Sequence, residues 1–151
     1  MTAKRAKRAA KTKPRKSKSK RPKRQPKKAA PSIDAVARKI VRATQQSDFP
    51  FVTLYAPDCT SAEPMGEPAR GHAGIEEKNA RWREMQISSN WRARNVWTGK
   101  NTVCIEWDGE VQLRDGRQVH LREIAVHEIE GGKIKHERYY YDPAALAPSG
   151  G

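Results

Sequence analysis

The sequence has little of what a secreted or membrane-crossing chain needs. It carries two cysteines, Cys59 and Cys104, far apart and without metal-ligand spacing. Neither a disulfide framework nor a zinc site is implied, and a reducing cytoplasm is the default expectation. No apolar run nears the roughly 18 residues of a spanning helix. No apolar segment follows the basic N-terminus, so a secretory signal is not expected. The most telling absence is of acid: residues 1–30 contain no Asp or Glu and no aromatic residue, and Met1 is their only large apolar side chain.

What fills those thirty residues is positive charge. Lys4, Arg5, Lys7, Arg8, Lys11, Lys13, Arg15, Lys16, Lys18, Lys20, Arg21, Lys23, Arg24, Lys27 and Lys28 make fifteen cations. The remaining 121 residues hold sixteen cations against seventeen acids, so the net +14 belongs to this tail. Such a stretch buries too little surface to offset the entropy of ordering and is expected to be disordered. Without aromatics to stack on bases it reads no sequence, but it binds phosphate backbones by counterion release. Nonspecific nucleic acid is the leading partner; a solubilising tail, an anionic membrane surface and a nuclear localisation signal at Lys20–Arg24 are the alternatives. The expected location is cytoplasmic, nucleoid-associated in a bacterium or nuclear in a eukaryote.

Residues 31–146 read as one α+β domain, followed by a frayed end at 147–151. Ser32 caps an amphipathic helix carrying Ile33, Val36, Ala37, Ile40 and Val41. Asp48 opens a short second helix with Phe49, Val52, Leu54 and Tyr55, which Pro57 ends. A third helix runs from His72 to about Met85 and presents Ile75, Asn79, Trp82 and Met85. Strands follow at Trp91–Trp97, Thr102–Leu113, Gln118–Glu130 and Ile134–Asp142, after a short one at Cys59–Glu63. Three helices covering one face of a curved antiparallel meander is the predicted layout.

Gly131-Gly132 between two extended runs signals a two-residue hairpin turn. Uninterrupted pairing then sets Ile129 opposite Ile134, His127 opposite His136, Ile124 opposite Tyr139 and Arg122 opposite Tyr141. A one-residue slip would exchange the faces.

Four segments in order carry a resemblance: A-P-D-C-T at Ala56–Thr60, E-P-M-G at Glu63–Gly66, G-H-A-G-I at Gly71–Ile75 and G-G-K-I-K-H-E-R-Y-Y-Y-D-P at Gly131–Pro143. Together they resemble the SnoaL-like group of the nuclear transport factor two superfamily, which includes ketosteroid isomerases and limonene epoxide hydrolases. The resemblance spans Ser32–Leu146. It implies a cone with a pocket between sheet and helices, often in a back-to-back homodimer.

It also implies roles. Glu63 matches the position of the isomerase general base. The isomerase's helix tyrosine falls at about Ile40 and its strand aspartic acid near Ile124 or Ala125, and both are lost. Where the epoxide hydrolase has an Arg-Asp pair, this chain has Arg138-Tyr139. On this analogy Arg122, Ile124, Val126, Glu137, Tyr139 and Tyr141 face the pocket, Trp82 walls it, and His127 and His136 lie outside on a dimer face. Trp91, Trp97 and Trp107 read as sheet packing.

Three functions remain open at this point. One is a dimeric pocket domain for a small apolar or carbonyl-bearing ligand, tethered to nucleic acid by its tail. The second is an isomerase, cyclase or dehydratase with Glu63 as base and Tyr139 or Tyr141 as acid. The third is a dimerisation scaffold with a vestigial pocket. Two histidines without a third ligand make a poor metal site, and neither a metal nor another cofactor is expected.

Overall fold

The computed structural model describes residues 26–148. The expected disorder of the tail falls mainly on residues 1–25, outside them; Lys27 and Lys28 are exposed and in no regular element. Helix α1 (Ile33–Thr44) starts where the Ser32 side chain accepts the Ala35 amide, and it buries Val36, Ala37, Ile40 and Ala43. Helix α2 (Gly71–Met85) buries only Ile75 completely. The expected second helix is not α-helical. Phe51–Leu54 forms one 3₁₀ turn capped at Pro50, because Pro50 and Pro57 leave too few residues for α-helical turns.

Among the described residues six strands form one sheet: β1 (Tyr55–Ala62), β2 (Ala69–Arg70), β3 (Gln86–Thr98), β4 (Thr102–Leu113), β5 (Gln118–Glu130) and β6 (Lys133–Tyr140). Their order is β2-β1-β6-β5-β4-β3. From β3 to β6 the chain is the predicted antiparallel meander. The sheet as a whole is mixed, because β1 lies parallel to β6. Sequence alternation reports which face a residue lies on, not which edge a distant strand joins.

The decisive local event is in the β5–β6 hairpin. Gly131 and Gly132 have φ of 57° and 77°, the left-handed pair that a two-residue primed turn demands. Glu130 pairs with Lys133 and Ile129 with Ile134, as expected. Then Glu128 pairs with His136, which leaves Lys135 as the extra residue of a bulge. Beyond it His127 pairs with Glu137, Val126 with Arg138, Ala125 with Tyr139 and Ile124 with Tyr140. A single bulged residue turns the rest of β5 over relative to β6. The predicted partnerships of His127, Ile124 and Arg122 are therefore displaced. Lys135, put out of the ladder, forms an ion pair with Asp58.

The main core packs Ile40 and Ile75 of the helices on Val103, Ile105, Trp107, Ala125 and Ile134 of the sheet. A second cluster holds Val111, Leu113 and Leu121, with Leu146 laid against it. Gly109 links the two: a β-carbon there would stand 2.4 Å from the Trp91 ring, which crosses β4 at that point. No helix among the described residues is long and apolar enough to cross a membrane.

Candidate active site

Between the helices and the inner face of the sheet lies a cavity of about 570 Å³, a size suited to a small organic molecule. Its floor follows the pairing register. Ser61, Glu137, His127 and Val103 stand side by side across β1, β6, β5 and β4. Two residues along each strand, Tyr139 lies beside Ala125, which pairs with Ile105. In the next inward row Glu123 pairs with Trp107, and Trp107 with Ala93. Helix α2 supplies the roof, where Ile75, Lys78 and Trp82 recur at spacings of three and four on one face.

The first row is an ionic network around Glu137, which is 2% exposed. Tyr55 Oη donates to both carboxylate oxygens at 2.9 Å. Ser61 Oγ donates to Oε2 at 2.6 Å, and His127 Nε2 stands 3.2 Å from Oε1. Lys78 Nζ is 3.6 Å from the same carboxylate, donates to Ser61 Oγ at 2.7 Å and pairs with Glu63 at 2.8 Å. Its ammonium also sits 4.1 Å from the centre of the Tyr139 ring. Burial alone would raise the Glu137 pKa, but the Lys78 charge and the donors on His127 and Ser61 outweigh it and hold the carboxyl below its ordinary range. His127 Nδ1 lies 3.2 Å from the Val103 carbonyl oxygen, so its two ring nitrogens face two acceptors.

Glu123 is the opposite case. It lines the cavity yet, among the described residues, takes part in none of the side-chain hydrogen bonds or ion pairs that hold Glu63 and Glu137. Burial, and then the negative charge of Glu63, push its pKa up to about 8, against the pull of Lys78. The phenols beside it stay protonated. Burial and the charge of Glu137 raise Tyr139 well above the ordinary value, and burial with Glu63 raises Tyr141.

Of the residues singled out in the sequence, Glu63, Trp82, Glu137, Tyr139 and Tyr141 line this cavity. Arg122 and Ile124 do not. The bulge gives their inward places to Glu123 and Ala125 and leaves Arg122 exposed on the outer face. It also brings His127 inside, where it is 1% exposed, while His136 remains outside and bonds Thr60 Oγ1 at 2.8 Å. Trp91 and Trp107 pack in the sheet and line the cavity as well; Trp97 is 52% exposed. Reading residue types missed Tyr55, Ser61, Lys78, Glu123 and His127. Only Lys78 carried a signal, three residues after Ile75 and four before Trp82 on the apolar stripe.

An α+β cone enclosing a cavity against one sheet face defines the nuclear transport factor two-like, or ketosteroid isomerase-like, fold. Within it the chain belongs to the SnoaL-like domain family, whose model matches residues 37–137. Solved structures agree on the fold. A nuclear transport factor two-like protein of unknown function from Burkholderia pseudomallei superposes with a TM-score of 0.69 at 16% identity, over 75% of this chain and 92% of its own. A ketosteroid isomerase-like protein from Catenulispora acidiphila, in complex with trimethylamine, gives 0.67 at 17% identity over 76% and 91%. A candidate SnoaL-like polyketide cyclase from Mesorhizobium loti gives 0.62 at 21% identity over 73% and 99%. No curated protein matches the chain.

Proposed function

We propose that this SnoaL-like chain is an acid–base enzyme of isomerase or cyclase type, acting on a small carbonyl compound with Glu123 as the group that moves the proton. The observation carrying this reading is Glu123's place in the cavity, outside the pairings that occupy the other carboxylates. Glu137 is saturated with donors and Glu63 is tied to Lys78, so each is a poor base as it stands. A carboxyl poised near neutral pH serves either as proton donor or, once ionised, as acceptor. In the proposed step the Glu123 carboxylate takes a proton from the carbon next to the carbonyl. The C–H electron pair becomes the C=C bond of an enolate, and the phenol of Tyr139, beside the Lys78 ammonium, donates to the enolate oxygen. Where the substrate has a C=C beyond that carbon the enolate is a dienolate, and return of the proton from Glu123 to its far carbon isomerises the substrate. Attack of the enolate carbon on a second carbonyl closes a ring, and the new alkoxide takes the proton back from Glu123. The test is solvent deuterium entry into a panel of cyclic ketones and enones, followed by NMR. Exchange that survives unchanged in Glu123→Gln removes this reading.

A ligand-binding domain without turnover is the second reading, supported by the aromatic lining of Trp82, Trp91, Trp107 and Tyr139. For the first thirty residues we propose nonspecific polyanion binding, on the strength of fifteen cations without an acid. Deleting residues 1–30 is expected to abolish retention on DNA-cellulose at about 0.1 M salt, and the intact chain should elute in a steep salt step. Retention by the shortened chain refutes the tether. A second copy is proposed on the outer sheet face, where Trp97 and Tyr140 are 52% and 55% exposed. Sedimentation equilibrium should then give twice the 17.1 kDa chain mass, and Trp97→Glu should return the monomer.

A further inference from the structure

The Trp-lined part of the cavity has a composition that a plain ketone does not explain. Trp107 stands beside Glu123 in the sheet. Trp91 meets Trp107 edge to face, with ring centres 6.4 Å apart and planes at 82°. Trp82 descends from α2 onto Trp91, again at 6.4 Å, with the planes open at 50°. All three rings and the Glu123 side chain line the same space. Gly109 is what lets Trp91 lie there, since any side chain at 109 would strike its ring. Trp107 is 2% exposed, so it backs the other two rings. Trp82 and Trp91 are the half-buried indoles that, with the Glu123 carboxyl, offer the space a surface for an organic cation, which is drawn to the negative faces of aromatic rings.

We infer that this part of the cavity is an ammonium subsite, so that the ligand or substrate carries a tertiary or quaternary amine lying against Trp82 and Trp91, backed by Trp107, with Glu123 as counter-ion. The inference rests on the reading of the cavity as a substrate site and names the substrate class. The protein places a cation of its own on an aromatic face within this cavity, Lys78 over Tyr139. That cation is already neutralised by Glu63. Arg81 and Arg83, the other cations lining the cavity, are exposed at its rim. Among the described residues, the Glu123 carboxyl thus has no cation paired with it, and Lys78 acts on it only as a neighbouring charge.

The subsite also explains how Glu123 becomes a base. The groups acting on it are Glu63 from the end of β1, Lys78 from α2, Glu137 from β6, and burial; with these alone, near pH 7, the carboxyl holds its proton. A bound ammonium adds the missing positive charge and draws the carboxyl into its ionised form. A cationic substrate therefore ionises the group that is to deprotonate it, and a neutral analogue does not.

The experiment compares choline with its uncharged isostere, 3,3-dimethylbutan-1-ol, on the full-length protein by calorimetry and saturation-transfer NMR. Choline is expected to bind roughly tenfold or more tightly than the alcohol, a margin in line with a partly desolvated cation–π contact. Its binding at pH 7 should release on the order of one proton, seen as a dependence of the heat on buffer ionisation. Glu123→Gln should abolish the proton release, and Trp82→Leu should weaken choline more than the alcohol. Equal affinity for the two probes, or choline binding without proton release, overturns the inference. Deuterium exchange into neutral ketones is a separate readout: if it persists while choline fails, the acid–base reading stands and the ammonium subsite falls.

Discussion

Replacing Glu137 with alanine is expected to destabilise the protein by about 3–5 kcal/mol, the usual loss when one partner of a buried charge network is removed. Urea unfolding with a constant m-value is the measurement. The size follows from what is left behind. Tyr55 and Ser61 lose their acceptor, and the His127 ring keeps only the Val103 carbonyl. Each becomes a buried polar group without its partner. Lys78 survives better, since it still has Glu63 and the Tyr139 face. A pH signature accompanies the loss. The native Glu137 pKa lies below its unfolded value, so its stabilisation is complete above about pH 4.5 and fades as acid is added below that. The wild type should lose stability in that acid range more steeply than Glu137→Ala. If the variant costs under about 1 kcal/mol, the network is not what holds β1, β5 and β6 together.

Glu123→Gln is expected to act in the opposite sense on stability and to remove activity. The native carboxyl keeps its proton up to about pH 8, against an ordinary 4.5. Between those values the unfolded chain has released a proton that the native chain retains, so wild-type stability falls as pH rises from about 4.5 to 8. Gln carries no such penalty. The variant should therefore match the wild type near pH 4.5 and exceed it at pH 8 and above. At 1.36 kcal/mol per pKa unit, discounted for the partial exposure of this side chain, the gain is on the order of 2 kcal/mol. Loss of a positioned acid–base group typically costs 10²–10⁴-fold in rate, and deuterium entry into the substrate panel should drop by that much. In the wild type the rate should climb with pH and level off near 8. A more stable and inactive variant is a combination that simple misfolding cannot produce. An unstable variant, or one with full exchange, contradicts the assignment.

Glu123 and His127 show why the site was harder to read than the fold. Both are polar residues in a strand whose two faces have similar polarity, so alternation does not choose between them. The choice was made at Lys135, where the bulge shifts β5 against β6 by one residue. No residue type at 135 announces it. The compensating contact is with Asp58, 77 residues away in sequence. Glu137 and Tyr139 on β6, and Tyr141 one residue past its end, line the cavity as expected because they alternate beyond the bulge. Arg122 and Ile124 were misplaced because the pairing was carried unbroken past Glu128. Lys78 was passed over for a different reason: a lysine on a mostly polar helix reads as solvated until the acids facing it are known.

Interactions between near neighbours in the chain set a first group of elements. These are the Ser32 cap, the two α-helices, the long strands, the Gly131-Gly132 turn and the concentration of positive charge in residues 1–30. The sequence also carried enough local motif to identify the SnoaL-like family. Contacts between distant segments were needed to set β1 parallel to β6, to make one proline-bounded segment a 3₁₀ turn, and to turn Glu123 and His127 into the cavity. Caps, turns and periodicity arise from interactions a few residues apart. The cavity's charge pattern depends on a one-residue slip settled by contacts between strands remote in sequence.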